Sequence, residues 1–468
     1  MYLPDLVVRS RRVVTRDGVT PAALHIRGGR IIGVLDPERV PVGCPVDDAG
    51  ELVVMPGIVD MNVHVNASAD AHGYAFEQTT RAAAAGGVTT IVDTGPVGRP
   101  TASVSVLEQK RRAAEGHCAV DVAFCGGLVP GNSRELGPLA EAGVFGFACS
   151  FGAALDGAEA VTADDLRTAL PALARIGAMV MVRGELPAPI DRAVAARMSS
   201  SGLVDRLMWS FRNGREYRTF LETHPKDAET EAVVRLLELC REHGTRTQIL
   251  SLSSSDALTP IFRARAAGLP VTVQTCPHYL SFVAEEVPAG ATAFKCMPPI
   301  RDRLNRELLW GALSGGLIQV IASDHSPPPA GFRSLRSRNF SRAWGGIASL
   351  PLVLPAVWTA ASARGHTISQ LMAWMCRAPA RIAGIVKKGD IDVGYDADLI
   401  IWDPDAEFTV DPAALADATV SSPYAGRRLR GVVARVYLRG NLIFPSPPST
   451  RLVGRALVKQ KISSARVS

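Results

Sequence analysis

The sequence predicts an α/β protein: a (β/α)8 TIM-like barrel with a small β-sandwich domain built from both chain termini. Three observations predict it. Eight short apolar runs alternate with helix-length amphipathic stretches through the middle of the chain. Both ends instead carry alternating, β-branched stretches. The 468 residues, 47% of them hydrophobic, suffice to bury a large core.

Residues 1–54 form the first part of the small domain. Their strand-like runs fall at 6–8, 12–14, 23–26 and 30–32, and Gly28-Gly29 between the last two predicts a tight hairpin. Residues 55–388 form the barrel. Its strand candidates, the first of which begins just ahead of that boundary, are 53–64, 89–94, 120–128, 144–150, 178–185, 246–253, 271–278 and 318–326. A helix is expected over 229–242, with Val233, Val234, Leu236, Leu237 and Leu239 on one side. Strand texture returns at 398–402 and 431–440, so residues 389–444 complete the small domain, and 445–468 read as a solvated basic tail.

Charge and cysteine usage narrow the partners. Five of the six net positive charges lie after Phe444, at Arg451, Arg455, Lys459, Lys461 and Arg466, so the body is near neutral and no nucleic-acid partner is expected. No apolar run is long enough for a membrane span and the start lacks a signal-peptide core, which argues against a membrane partner. The eight cysteines contain no C-x-x-C pair. They read as free thiols of a cytoplasmic protein and against a thiolate zinc site.

In such barrels chemistry sits where the strands end. Those ends here carry Asn62, His64 and Asn66, then Ala148 and Cys149, Arg183 and Glu185, Ser251, Cys276 and His278, and Ser323, Asp324 and His325. Several stretches carry a family likeness: MPGIVD at 55–60, RAAAAGGVTTIVD at 81–93, TCPHYL at 275–280, FKCMPPIR at 294–301, SDHSP at 323–327, AWGGI at 343–347 and GYDADL at 394–399. From about Leu6 to Phe444 the chain closely resembles the cyclic amidohydrolases, with the allantoinase group nearest and the hydantoinase and dihydroorotase groups further off.

The resemblance implies a two-metal hydrolase of ring amides, in which paired cations activate water and polarise the carbonyl. It places the metal ligands at Asn62, His64, Ala148, Arg183, Ser251 and Asp324, and of these only His64 and Asp324 keep the family's residue. Arg183 is always protonated and has no lone pair to give. Glu185, on the same side of its strand, is a donor in principle. The first expectation is therefore a pseudoenzyme with its metal site lost, serving as ligand-binding scaffold or regulator, with no cofactor or at most one weakly held divalent metal. The alternative is a repurposed enzyme acting on the amide bond of a cyclic amide, imide or ureide, with Asp324, His64 and Arg183 as catalytic groups. Ordinary allantoinase or hydantoinase activity comes last.

Asn62, Asn66, Ser251, His278, Ser323 and His325 are the ligand-binding candidates, for a small molecule with cyclic amide or acidic groups. Cys149 and Cys276 lack an adjacent base and are not read as nucleophiles. Two loops depart from ordinary texture: 67–73, which lacks the family's acidic-Pro-Gly-Arg sequence, and the basic stretch with Arg333, Arg336, Arg338 and Arg342. A homo-oligomer, dimer or tetramer, follows from the resemblance alone.

Overall fold

Gly57 separates the terminal sheet from the barrel. The run 53–64 reads as one strand, but the structure, a computed structural model, divides it into Val53–Pro56 and Ile58–Val63. The first half pairs with Leu399–Thr409 and belongs to the small domain, so that domain extends past residue 54. A Cβ at position 57 would lie 2.0 Å from Thr89 Oγ1, so only glycine lets the chain cross so close to the second barrel strand. The structure describes residues 3–65, 73–95, 100–152, 159–199, 214–328, 337–411, 422–447 and 449–460. Asn66, Arg333 and Arg336 lie outside them, as does the loop at 67–72.

The small domain is one hydrogen-bonded path of strands. Its order runs Asn441–Phe444, Arg428–Leu438, Leu399–Thr409, Val53–Pro56, Leu6–Thr15, Gly18–Arg27 and Arg30–Leu35, with Val46–Asp48 pairing Leu6–Thr15. The path folds over its own core of Val8, Val13, Leu24, Ile26, Leu399 and Ile401. Gly28 and Gly29 make the hairpin turn with φ of +55° and +79°, the two positive values that such a turn requires.

The barrel strands are Ile58–Val63, Val88–Asp93, Asp121–Phe124, Phe147–Gly152, Met179–Glu185, Arg246–Ile249, Val271–Thr275 and Val320–Ile321. The fourth to eighth pair in parallel in sequence order, as do the first three. The ring closes through a parallel bridge from Val63 to His325, and through Phe145 N–H donating to Phe124 O at 2.9 Å. Inside it Val59, Met61, Val92, Phe145, Ala148, Met181, Leu250 and Ala322 pack as one apolar filling. The expected helix is observed as Lys226–His243, ended by Gly244 at φ +65° in the left-handed region. Among the described residues no helix is long and apolar enough to cross a membrane.

The part of the tail within the described residues differs from its expectation, while 461–468, with Lys461 and Arg466, lie outside them. Residues 449–460 run along the barrel floor: Gly454 N–H donates to Cys118 O, Val122 N–H to Arg455 O and Leu457 N–H to Val122 O, at 2.7–2.9 Å. Leu457 packs against the apolar filling. Charge counting saw the Arg and Lys of this segment; it did not see that the third strand offers unpaired backbone groups there. Above the segment lies a buried ionic knot. Lys388 Nζ is 2.8 Å from Asp121 Oδ2 and 2.5 Å from Asp398 Oδ2, while Arg439 reaches Asp121 from the small domain and its backbone N–H donates to Asp398. Burial lowers the affinity of Lys388 for its proton, but the two carboxylates outweigh it and hold the amine protonated. Lys388→Met would leave buried carboxylates short of a cation. We expect it to lower unfolding stability by ~3–5 kcal/mol, read from the urea midpoint; a loss under ~1 kcal/mol would show that the knot does not tie the domains.

Candidate active site at the barrel mouth

A β-bulge begins the site. Between Asp60 and Val63 the first barrel strand carries one residue more than its partner, which runs from Ile91 to Asp93, and a bulge turns side chains away from strict alternation. Asn62 lies inside it. Its Nδ2 donates to Asp324 Oδ1 at 2.8 Å and to Ser251 Oγ at 3.1 Å, and its Oδ1 accepts from Thr94 Oγ1 at 2.8 Å. Beneath it the Asp60 carboxylate accepts the backbone N–H groups of Asn62 and Ser323, all at 3.1 Å, which locks the first strand to the eighth. Burial pushes Asp60 up to about 6.

Asp324 is the point on which the other groups converge. Arg183 Nη2 and His64 Nε2 each lie 3.3 Å from its Oδ1, and Arg183 Nη2 is also 3.1 Å from His64 Nε2. The imidazole therefore has two alternatives. It accepts from the guanidinium when its proton is on Nδ1, or donates to Asp324 when the proton is on Nε2. His64 Nδ1 is buried without a partner among the described residues. Arg183 Nη1 is anchored on Met297 O at 3.3 Å. Burial alone would raise the Asp324 carboxyl, yet Arg183, with His64 and His278 beside it, holds it well below the usual carboxylate range. Asp324 and Ser251 also hold φ of +49° and +50°. Non-glycine residues adopt that region at a cost, and such strain collects at functional sites.

The remaining candidates divide into two groups. Ser251 sits with Asn62, and His278, the second residue of a short helix, Pro277–Ser281, lies close to Asp324. Burial lowers His278 to about 4, and neither of its ring nitrogens has a hydrogen-bond partner among the described residues. Ser323 and His325 are instead used by the backbone. Ser323 Oγ accepts from His325 N–H, and His325 Nδ1 accepts from Ser349 N–H at 3.0 Å. Ala148 is part of the apolar filling beneath the site, and Cys149 is buried with its thiol pushed up to about 12.

Sequence reasoning missed two features. Cys276 Sγ, a His278 ring nitrogen and an Asp324 carboxylate oxygen all lie within 4.8 Å of one another and are buried, a donor set for a metal ion. The signal was present in TCPHYL, whose cysteine and histidine stand two residues apart at a strand end; the expectation of free thiols, against a thiolate zinc site, gives way here to a cysteine beside two further donors. The second feature is Glu229, in the wall that also holds Glu185. Glu229 accepts from Ser253 and Ser254 N–H at 2.7 and 2.8 Å, with Arg301 3.9 Å away. Glu185, pushed by burial up to about 7, keeps Oε1 unpartnered.

Removing Arg183 tests the centre. Arg183→Met leaves a buried carboxylate without its cation and should cost ~3–5 kcal/mol at neutral pH, while Arg183→Met with Asp324→Asn should cost less than the two single losses together. Because the folded state depresses the Asp324 value, its stabilisation is full above the usual carboxylate range and is lost as pH falls through and below it. The gap between wild type and Arg183→Met should therefore narrow in acid. Strictly additive losses, measured by urea unfolding, would contradict the pairing.

Residues 53–443 match the model of the amidohydrolase family. The chain is 42% identical over 460 residues to an allantoinase of Streptomyces avermitilis, covering 97% of this chain and 99% of that one. It is 38% identical over 461 residues to an allantoinase of Arabidopsis thaliana, covering 93% and 87%. The solved L-hydantoinase (dihydropyrimidinase) of Arthrobacter aurescens superposes with a TM-score of 0.85 at 28% identity, covering 98% of each chain. These likenesses correct two expectations. Relatives with an enzyme's name along nearly the whole length overturn the non-catalytic scaffold, and favour the enzyme readings. The expected lack of a cofactor, based on the changed ligand positions, gives way to the family match and to the Cys276, His278 and Asp324 donor set. Barrel, terminal sheet, mouth and full-length likeness agree: the chain belongs to the amidohydrolase family.

Proposed function

We propose that this chain is a hydrolase of the amide C–N bond in a cyclic ureide or related cyclic amide, with an allantoin-type ring as first substrate. The observation that carries the reading is the coincidence of full-length likeness to allantoinases with a buried polar cluster on Asp324, at the barrel end where such folds work. The seven buried free cysteines support a reducing compartment, and with it a cytoplasmic location.

The residues divide the work. Arg183, fixed by Asp324 and Met297, directs a permanent cation into the mouth, where its remaining N–H groups bind a ring carbonyl and stabilise the oxyanion that forms as the carbonyl is attacked. His64, poised between two tautomers, takes a proton from the attacking water and returns one to the leaving ring nitrogen. Asn62 and Ser251 hold Asp324 in register. Cys276, His278 and Asp324 fit a divalent cation, which when bound supplies Lewis-acid polarisation of the carbonyl.

Ring opening of allantoin and hydantoin, followed as release of the ureido acid with zinc, cobalt or manganese supplied, tests the proposal. We expect turnover of at least one ring at roughly 1 s⁻¹ or above, and a drop of ~10³-fold or more in kcat/KM for Asp324→Asn. No turnover with any of these metals, or an unchanged rate in Asp324→Asn, would refute it.

A further inference from the structure

The two oxygens of Asp324 are used unequally. Oδ1 receives Asn62 Nδ2 at 2.8 Å and faces Arg183 and His64, each at 3.3 Å. None of the hydrogen bonds described for Asp324 goes to Oδ2. Close by stand Cys276 Sγ and His278, with three potential donor atoms inside 4.8 Å of one another. His278 is the independent sign. It is 1% exposed, and neither ring nitrogen bonds to anything among the described residues. A buried imidazole left this way is costly unless something takes its lone pair.

We infer that Cys276, His278 and Asp324 hold a single divalent cation of the zinc class through a thiolate, an imidazole and a carboxylate oxygen, while Arg183, across the same carboxylate, is the site's second and fixed positive charge. The inference rests on reading the mouth as the reaction centre, and it adds to that reading the class of ion and the origin of the second charge. Three protein donors leave a coordination position open, as catalytic zinc sites do. Sulfur with nitrogen selects zinc or cobalt over magnesium or manganese, which prefer oxygen. The charges support the pairing. Two anionic ligands against a dication and a guanidinium leave one net positive charge, which an oxyanion formed from the substrate would neutralise. Asp324 bonds the guanidinium and is itself one of the three donors, so its negative charge offsets part of the repulsion between the two cations.

Cobalt(II) titration of the metal-stripped full-length protein tests this. We expect about one ion per chain and a near-ultraviolet thiolate-to-cobalt charge-transfer band. Cys276→Ser should lose the band and weaken cobalt ~10-fold or more, His278→Gln should weaken it similarly, and Arg183→Met should keep the band. A second readout needs no variant: zinc or cobalt should raise the melting temperature of the wild-type chain where equimolar magnesium does not. Two ions per chain without a charge-transfer band, a band indifferent to Cys276→Ser, or an equal shift with magnesium would overturn the inference. Ring opening measured on the same cobalt-loaded sample separates the two readings. A band without turnover removes the proposed function and leaves the site, whereas turnover without a band does the reverse.

Discussion

The mouth depends on keeping one carboxylate ionised inside a protein. Asp324 is almost wholly buried, where a lone carboxylate would take up a proton, and it is held ionised by a guanidinium from the fifth strand, an imidazole and an amide from the first. The partners come from two places on the ring, the first and fifth strand ends. Displacing either strand end therefore changes the charge state of the centre as well as its shape. The bulge that brings Asn62 inward, the Asp60 carboxylate that ties the first strand to the eighth, and the left-handed backbone at Ser251 and Asp324 all keep this convergence in place.

At the opposite end a second set of buried charges does structural work. Asp121, Lys388, Asp398 and Arg439 join the start of the third strand, the chain leaving the barrel and the small domain. The floor segment at 454–459 completes the same region through backbone pairing, and Gly454 is required there because a Cβ would meet Val120 O at 2.1 Å. Mouth and floor thus solve one problem in two ways: both bury charge, but the floor pairs its ions with one another while the mouth keeps N–H groups and a metal donor set beside its ion pair.

Much of this was legible in the sequence. The alternation of apolar runs with amphipathic helices gave the barrel, Gly28-Gly29 gave the hairpin, and Arg183, His64, Asn62, Ser251 and Asp324 were each placed at strand ends that do converge. What was hidden depends on distances between segments far apart in the chain. Gly57 looks like any residue inside an apolar run until Thr89 is seen against it. The tail looks solvated when its charges are counted alone. Matching ligand positions one by one measured departure from a pattern and could not reveal that Cys276 and His278, at other positions, approach Asp324. That is why the pseudoenzyme expectation failed.

Chemical rescue of an Arg183→Ala variant tests the central claim most directly, because it restores the cation without restoring the side chain. If the guanidinium at Asp324 is what the mouth requires, millimolar guanidinium should raise ring-opening activity of the variant by about tenfold or more, with methylammonium, urea and sodium chloride much weaker. A variant with near wild-type activity, or one that guanidinium helps no more than sodium chloride does, would contradict the account.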